Sequence, residues 1–585
     1  MTLEARTSAP PSHQVAAITQ WWKRPAVEWP ALLRGFTTAH YLTLVAAFLL
    51  LLYIDRRQWF FFDEWEFLAT RGLGGQSLRL FFPHNEHWST IPILIFHALY
   101  AVVGLRTYIP YIVVLLLLHL GTGYLLWRAM LRSGGDGWMA TALAAVFLLL
   151  GAGYENLIWA FQITFITSTL CGVGMLVLAD HGSQRFGVRD AAVWVVAIVG
   201  LMSSGVGITM VAVAGVVALL RRGWRAALVT LSVPAAVYIV WLAAIGHNGF
   251  YATTVTKGTI LLIPDFVWKG LTATVDGATG LVGFGAVGIV GLLCWLLYHH
   301  RDATRLAIPF AGAIGAVVFF VLTGLGRASY GIDQGTAAHY IYVATALLLP
   351  ITAVIASTVA RRALVVQMAL LALFVFVIGH NLHELASQAN FYAGVKQQSK
   401  QQILAGAQLI ASRAPLIGSQ PDPRFAPDLT TGDLAQMLRE GALPNPTGLT
   451  QTNYLDAQLA LQVDIATTPE VPMSGAVTVA AGGGGFLQRL SNGCVQATTY
   501  GANHYLVLRF TSPGSVRLSS PATEVVQATL QVPPQGGQSD VRNLSFTADS
   551  PVYLSGAVGG DQVTLYLPPN AMQICGGSPV SATAG

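Results

Sequence analysis

The sequence predicts a mostly α-helical polytopic membrane protein with an exterior C-terminal α-plus-β region that ends in a small β-sandwich. Of the 585 residues, 54% are hydrophobic and only 10% are charged, whereas soluble globular proteins carry roughly 25% charged residues. Beyond about residue 470, long apolar runs give way to short alternating segments separated by turn residues. That alternation is typical of antiparallel strands.

The N-terminal stretch 1–37 is polar and contains proline and tryptophan. It has no short apolar core followed by a small-residue cleavage site, so we expect a cytoplasmic tail rather than a signal peptide. The net charge of +5 comes from loop arginines. Because no basic cluster with interleaved aromatic residues is present, nucleic acid is excluded as an expected partner.

Apolar runs long enough to cross a bilayer, which takes about 20 helical residues, define a transmembrane domain at 38–383. The run at 190–220 is too long for one crossing, and "LMSSGVG" (201–207) breaks it into two short helices with a tight turn between them. About eleven crossings are therefore expected. The runs are 38–54, 109–127, 137–155, 161–180, 190–220, 226–245, 281–298, 306–325, 339–360 and 363–383.

Segment 91–105 is apolar but has only about 15 residues, and loop charge decides its topology. If it does not cross, Lys257, Lys269 and Arg327 face a much larger group of arginines on the other side. Cytoplasmic loops carry the excess of Lys and Arg, so 91–105 is predicted to be re-entrant or interfacial. The N-terminus is then inside, and loop 55–108 and everything after 382 are outside the cell membrane. The cytoplasmic arginines are Arg128, Arg132, Arg185, Arg189, Arg221, Arg222, Arg225, Arg301, Arg305, Arg361 and Arg362.

The exterior region has two predicted parts. Residues 384–465 show helical periodicity with proline-rich joints and form a helical linker, and residues 466–585 form the β-sandwich domain. Cys494 and Cys575 lie near the two ends of the β-rich region, which predicts a disulfide and an oxidising compartment.

The polar residues next to the apolar runs fall on the predicted outer side, which indicates one cavity at the membrane edge. They come from loop 55–108, from "GAGYENLIWAFQ" and from "GRASYGIDQGTAAHYIY", with a further loop around His247. The candidate site residues are Asp63, Glu64, Glu66, His84, Asn85, Glu86, His87, Glu155, Asn156, Gln162, Arg327, Asp333, His339 and Tyr340.

Within loop 55–108, Asp63 and Glu64 are the predicted catalytic residues. From Trp59 to Leu68 acids alternate with aromatic residues, as in a segment lying on a membrane surface. A partly desolvated carboxylate suits a general base that takes the proton of an acceptor hydroxyl. The alternative is that these acids cap a short helix or solvate the rim of the loop.

Three further assignments stay open. His84 and His87 are spaced for metal ligands but lack a third ligand at a recognised spacing, which favours substrate contact. The sequence specifies no cofactor, and a divalent cation stays an open alternative, because Asp63 and Glu64 with donor phosphate oxygens offer ligands for Mg²⁺, Mn²⁺ or Ca²⁺. Arg327 either binds a phosphate or extends to the membrane interface.

These residues resemble the GT-C superfamily of membrane glycosyltransferases, in particular its protein O-mannosyltransferase-like and aminoarabinose-transferase-like branch. The acidic pair after the first helix is "FFDEWEF", the following loop element is "PHNEHWSTIPILIFHALYAVVGL", and "GRASYGIDQGTAAHYIY" takes the place of a "GR…SRY" element. The double proline of the family is absent, and Ala338-His339-Tyr340 replaces "SRY", so Arg327 is the remaining cation for a phosphate.

The resemblance implies a sugar donor on a polyprenyl phosphate, with Asp63 as the base and inversion at the anomeric carbon. It implies a glycan, lipid or protein acceptor in cell-envelope synthesis, with the β-sandwich acting as a carbohydrate-binding module. Two other functions are expected alternatives: a transporter or flippase of a lipid-linked glycan, and an envelope glycan-binding or assembly protein. A transporter predicts charged residues deep in several helices, but here they cluster at one side.

Overall fold

The computed structural model describes residues 35–73, 77–249, 255–473, 477–483, 485–498, 504–532, 537–548, 550–566, 571–576 and 581–584. Most of the predicted N-terminal tail, 1–34, lies outside the described residues. The chain divides into two compact units. The first contains Met1–Arg56, Leu80–Ile95 and Ile109–Tyr392, and the second contains Arg57–Arg79, Phe96–Tyr108 and Ala393–Gly585.

The helices are mostly apolar up to residue 382. Their bounds are α1 Gly35–Asp55, α2 Thr90–Val103, α3 Ile109–Arg132, α4 Gly137–Leu148, α5 Glu155–Ile158, α6 Ile163–Ala179, α7 Val188–Leu201, α8 Val206–Arg222, α9 Trp224–Ala244, α10 Lys257–Thr279, α11 Phe284–Tyr298, α12 Ala307–Arg327, α13 Ala338–Ala360, α14 Leu364–Ala411, α15 Thr431–Arg439 and α16 Gln451–Leu461.

In the part of the chain that the structure describes, seven helices are long and apolar enough to cross a membrane, or eight if α10 and α11 form one bent span. Helices α4, α7 and α8, each predicted as a crossing, have 12, 14 and 17 residues. At 1.5 Å per residue they are shorter than a bilayer core of about 30 Å. Helix length therefore supports fewer crossings than the eleven predicted.

Two predicted segments can be compared with the helices that the structure shows. The run 190–220 forms the two short helices α7 and α8 on either side of a tight break, as predicted. Segment 91–105 forms α2, whose 14 residues span about 21 Å at the helical rise. Helix α4, which is predicted to cross, is shorter still, so the re-entrant or interfacial placement of 91–105 stays a prediction.

Helix α10 is the element that hydropathy missed. Lys257, Asp265, Lys269 and Asp276 interrupt its apolar pattern, so no run of sufficient hydropathy stands out between 245 and 281. It meets α11 at a bend of 109°. Gly285 makes the corner possible, because a Cβ there would lie 2.2 Å from the carbonyl oxygen of Thr272.

The boundary predicted at 383/384 falls inside a helix. Helix α14 continues without interruption over 48 residues, and its part beyond Tyr392 belongs to the second unit. The sequence beyond 383 becomes polar but keeps a helical pattern, so the change in composition marks no break in the backbone.

The second unit contains the loop Arg57–Arg79 as well as the C-terminal region. Trp59, Phe60, Trp65 and Phe67 are all at most 2% exposed. The sequence predicted that these rings would lie on the membrane surface, whereas they are buried. Phe61 stacks on Phe425 with ring centroids 5.3 Å apart, so tertiary packing takes up the aromatic side chains.

The C-terminal strands form two sheets, as predicted. One has the order β1-β10-β6-β12-β4-β3 and the other the order β13-β2-β5-β11-β7-β8, with β9 also on β7. The strand bounds are β1 Val463–Ala466, β2 Val477–Gly482, β3 Phe486–Arg489, β4 Val495–Thr498, β5 Tyr505–Phe510, β6 Gly514–Ser519, β7 Glu524–Val532, β8 Gly537–Gln538, β9 Arg542–Phe546, β10 Val552–Gly556, β11 Gln562–Tyr566, β12 Ala571–Gly576 and β13 Ser581–Ala584.

Alternate residues of both sheets form one apolar core, which also takes in Leu455 and Leu459 of α16. Leu506, Leu508 and Phe510 of β5 illustrate the period of two that buries one face of a strand. A disulfide joins Cys494, next to β4, to Cys575 of the paired strand β12.

Candidate functional site

The site is built from helix ends of the first unit, starting with a tight turn. His84 and His87 exchange both backbone hydrogen bonds, with N···O distances of 2.9 and 2.8 Å. Asn85 takes a left-handed φ of 50° at the tip, a conformation that asparagine tolerates better than most residues. The motif "PHNEH" is therefore a closed turn that holds Glu86 at its tip.

Two glycines let neighbouring segments approach this turn. A Cβ on Gly205, in the break between α7 and α8, would lie 2.8 Å from Nδ1 of His87. A Cβ on Gly249 would lie 2.4 Å from the carbonyl oxygen of Asn85. Glycine is needed where backbone or a side chain comes this close, so three segments pack against one another here.

Arg327, the last residue of α12, forms an ion pair with Glu86. Its Nη2 donates to Oε1 of Glu86, and the two side chains are only 24% and 21% exposed. The other carboxylate oxygen of Glu86 is buried and has no hydrogen-bond partner among the described residues. A half-satisfied buried carboxylate is costly, which marks this pair as more than a surface salt bridge.

A second pair lies at the start of α13. His339 contacts Oε2 of Glu155 through Nδ1, and both side chains are about one quarter exposed. Glu155 opens the short helix α5. A carboxylate that orients one ring nitrogen of a histidine leaves the other nitrogen free to act on a substrate proton.

Aromatic rings join the two pairs into one cluster. The ring of Phe165, near the start of α6, lies 5.3 Å from His339, 6.4 Å from Tyr340 and 6.5 Å from His87, measured between centroids. The rings of His339 and Tyr340 are 4.1 Å apart. We call the set His87, Glu86, Arg327, Glu155, His339, Tyr340 and Phe165 the polar cluster.

The environment of His87 favours its neutral form. Burial lowers its pKa from 6.5 to about 4, Glu86 opposes this by attraction, and His84, Arg327 and His339 add repulsion. The Nε2 atom of His87 lies 3.8 Å from Oε1 of Glu86. At neutral pH the polar cluster therefore contains an uncharged imidazole next to an ion pair.

The remaining predicted residues of the first unit occupy different surroundings. Asn156 is fully buried, donates to Oε1 of Gln162 at 3.3 Å, and keeps an oxygen without a partner among the described residues. Asp333 has a side chain that is 79% exposed and pairs with Lys269 on α10. The structure therefore gives Asp333 a surface role that the sequence did not predict.

The acidic residues of loop 55–108 lie in the second unit. Glu64 is fully buried, and its oxygens accept hydrogen bonds from the Phe61 amide at 2.8 Å and from the Tyr108 hydroxyl at 2.6 Å. Glu66 pairs with Arg71 at 2.7 Å. Both carboxylates hold the loop together, so the geometry favours the structural alternative for them.

Asp63 is partly exposed and follows a strained residue. Phe62 has a φ of 46°, while its amide donates to the carbonyl oxygen of Phe425 at 2.9 Å. Positive φ in a bulky residue is a true outlier, and such outliers concentrate at functional sites. The catalytic role of Asp63 stays a prediction.

Sequence reasoning missed two contributors to the polar cluster and its packing. Phe165 and Gly205 lie within apolar runs and carry no chemical signal, although the break "SSGVG" marks the position of Gly205. Lys396 is 1% exposed, and its ammonium lies 5.6 Å from the ring centroid of Phe61. Lys396 belongs to the second unit, and Lys400 follows it in the sequence, so the signal here is a pair of lysines in the polar part of a long helical pattern.

In the described part of the chain, no three histidine, cysteine or acidic side chains are placed to hold a metal ion. No protein-family model, no curated protein and no solved structure matches this chain. The polar cluster must therefore be interpreted from its own chemistry.

Proposed function

We propose that this protein is a membrane glycosyltransferase that moves a sugar from a polyprenyl-phosphate donor to an acceptor hydroxyl on the outer face of the cell membrane. The observation that carries the proposal is the polar cluster. Separate helix ends of the first unit bring the Arg327–Glu86 ion pair, the His339–Glu155 pair, a neutral histidine and aromatic rings together. Ionisable groups beside a membrane are costly and are usually functional.

An amphiphilic donor matches this distribution of polarity. The lipid tail needs apolar surface of the kind the helices provide, and the phosphate and sugar need the cluster at the helix ends. Arg327 is the group for the phosphate, because a guanidinium binds phosphate oxygens through paired charge-assisted hydrogen bonds. Phosphate would take the place of Glu86 as the partner of Arg327.

The reaction balances without a cofactor. The acceptor oxygen attacks the anomeric carbon, the bond from that carbon to the phosphate oxygen breaks, and polyprenyl phosphate leaves with the electron pair. The hydroxyl proton passes to a general base, for which the sequence resemblance designates Asp63. Glu64 is reassigned from catalysis to positioning of the loop because both its oxygens are engaged.

The His339–Glu155 pair is proposed to orient a sugar hydroxyl. Each partner is about one quarter exposed, so the pair is accessible to a ligand. Phe165 and Tyr340 supply ring faces beside it. Such faces suit the C–H side of a pyranose or furanose.

The test uses membranes containing the full-length protein and a panel of polyprenyl-phosphate donors that carry labelled hexoses or pentoses. Wild type is expected to transfer label to an envelope acceptor fraction. Arg327→Ala and Asp63→Ala are each expected to reduce the rate at least 100-fold, because each removes an interaction made with the reacting groups. Arg327→Lys keeps the charge but loses the paired geometry and should retain partial activity.

Exposed residues of the same types provide controls. Arg301→Ala and Asp333→Ala remove charges outside the polar cluster and should leave the rate unchanged. Absence of transfer from every donor, or full activity in Arg327→Ala, would contradict the proposal. Movement of an intact lipid-linked glycan across vesicles without cleavage would support the transporter instead.

A further inference from the structure

The outer face of the seven-stranded sheet carries a row of side chains in register. Arg509 of β5, Gln562 of β11, Gln531 of β7 and Gln538 of β8 are direct neighbours across the strands. Their side chains are linked by hydrogen bonds of 3.0, 2.7 and 3.3 Å. The row therefore forms a continuous polar ladder.

The ladder is connected to a pair of tyrosines on the same face. Tyr505 and Tyr566 are cross-strand neighbours with ring centroids 6.2 Å apart. Gln538 donates to the hydroxyl of Tyr566 at 3.2 Å. Both tyrosines are partly exposed, so aromatic surface adjoins the amides.

The absence of a side chain at Gly482 determines the position of the Tyr505 ring. Gly482 is the neighbour of Tyr505 on β2, and a Cβ there would lie 2.2 Å from Cζ of the tyrosine ring. The ring thus fills the place of the missing side chain and lies across the neighbouring strand. A ring in this position offers a face rather than an edge to a ligand.

Thr564 lies between the ladder and the tyrosines. It separates Val563 and Leu565, which both face the core, so its side chain is on the outer face. It is 3% exposed, and its hydroxyl has no hydrogen-bond partner among the described residues. Because this hydroxyl is buried, the surface offered to a ligand comes from the ladder and the tyrosines rather than from Thr564.

The small number of charges on the outer face of the seven-stranded sheet indicates which class of ligand fits it. At the outward positions of β2, β5, β7, β9 and β11 that the structure describes, Arg509 is the one charged side chain, and it is already bonded to Gln562. An anionic polymer would need several cations, and a stable protein interface would need an apolar centre. Amides, hydroxyls and ring faces instead match uncharged polyols, whose hydroxyls both donate and accept.

We propose that this face is a binding site for a neutral polysaccharide chain, held by Tyr505, Tyr566 and the ladder Arg509-Gln562-Gln531-Gln538. Sugar rings stack on the tyrosines through their C–H faces, and their hydroxyls exchange hydrogen bonds with the amides. The residues of this site belong to the second unit and those of the polar cluster to the first, so the proposal does not depend on the proposed transfer reaction.

The test is affinity electrophoresis of the full-length protein in detergent through gels that contain mannan, arabinan, galactan or dextran, with polygalacturonate as the anionic comparison. Wild type should be retarded by at least one neutral polymer. Tyr505→Ala and Gln562→Ala should weaken the retardation at least 10-fold in apparent Kd, whereas Tyr505→Phe keeps the ring and most of the binding. Tyr553→Ala, on the outer face of the six-stranded sheet, is the matched control and should bind as wild type.

Retention on no neutral polymer, retention on polygalacturonate alone, or unchanged binding in Tyr505→Ala would each overturn the proposal. Formation of the Cys494–Cys575 disulfide in every variant shows that the sandwich has folded. Tyr505→Ala should leave sugar transfer to a short acceptor at the wild-type rate, so failure of either proposal can be recognised without the other.

Discussion

At the scale of single residues, four ionisable side chains of the polar cluster form two pairs. Arg327 with Glu86 and His339 with Glu155 each combine one partner from a long helix with one from a loop or short helix. A buried ion pair contributes little net stability because desolvation offsets the attraction. The proposed recognition of a charged or polar ligand gives a reason for placing the Arg327–Glu86 and His339–Glu155 pairs side by side.

His87 makes a pH dependence testable. Its pKa in the folded protein is about 4 against 6.5 for the free side chain, so the unfolded chain takes up a proton first as the pH falls. The contribution of neutral His87 to the free energy of unfolding is therefore fully present above pH 6.5, and it is lost as the pH falls from 6.5 to 4. We expect His87 to account for at most about 2 kcal/mol of the loss between pH 7.5 and 5.

The measurement is the thermal unfolding midpoint of the detergent-solubilised protein at those two pH values. His87→Gln cannot take up the proton and should show a smaller fall in midpoint than wild type. The groups facing His87 are Glu86, His84, Arg327 and His339. An equal fall in both proteins would show that His87 is not the titrating group.

At the scale of elements, close helix contacts bring the site residues to the same end. A Cβ on Gly312 of α12 would lie 2.2 Å from the carbonyl oxygen of Leu347 on α13. Small residues permit such backbone approach in membrane helices. Arg327 ends α12 and His339 lies at the start of α13, so this contact sets how closely the two helices that carry these residues pack.

We therefore expect Gly312→Ala to separate α12 from α13 and to destabilise the protein by about 1–3 kcal/mol, the usual cost of overpacking. The matched control is Gly291→Ala in α11, where nothing lies within 4 Å of the added Cβ. It should be neutral or slightly stabilising, because alanine is the better helix former. Thermal unfolding and the sugar-transfer rate are the readouts, and equal midpoints for the two variants would contradict the role of the contact.

At the scale of the whole molecule, the chain passes repeatedly between its two units. The loop Arg57–Arg79 and the C-terminal region belong to one unit although more than 300 residues separate them in sequence. The Cys494–Cys575 disulfide lies in the same unit. Disulfides persist in oxidising compartments, which supports placing this unit outside the cell.

That topology predicts a labelling pattern. In a protein with Cys171 and Cys294 replaced by serine, Ser77→Cys should react with a membrane-impermeant maleimide in intact cells, because it lies on the predicted outer side. Ser183→Cys should react only after permeabilisation. Both positions are exposed, so the result depends only on which side of the membrane the reagent can reach. Labelling of Ser183→Cys in intact cells would reverse the assigned orientation.

The accuracy of the sequence prediction depended on the element. Runs of apolar residues located most long helices because a bilayer imposes one length and one polarity. Charged α10 escaped this signal, and the aromatic loop around Asp63 looked amphipathic although its rings are buried. Period-two alternation predicted the sandwich, since one face of each strand must be apolar.

The amino-acid sequence by itself determined that the protein has apolar membrane helices, a C-terminal sandwich and a concentration of polar residues near helix ends, since these follow from composition and local period. The tertiary structure alone decided which polar residues meet. It paired Glu86 with Arg327 and Glu155 with His339, assigned Asp333 to Lys269, and engaged Glu64 with Tyr108. Partners up to 241 residues apart are chosen by helix packing, which no local pattern encodes.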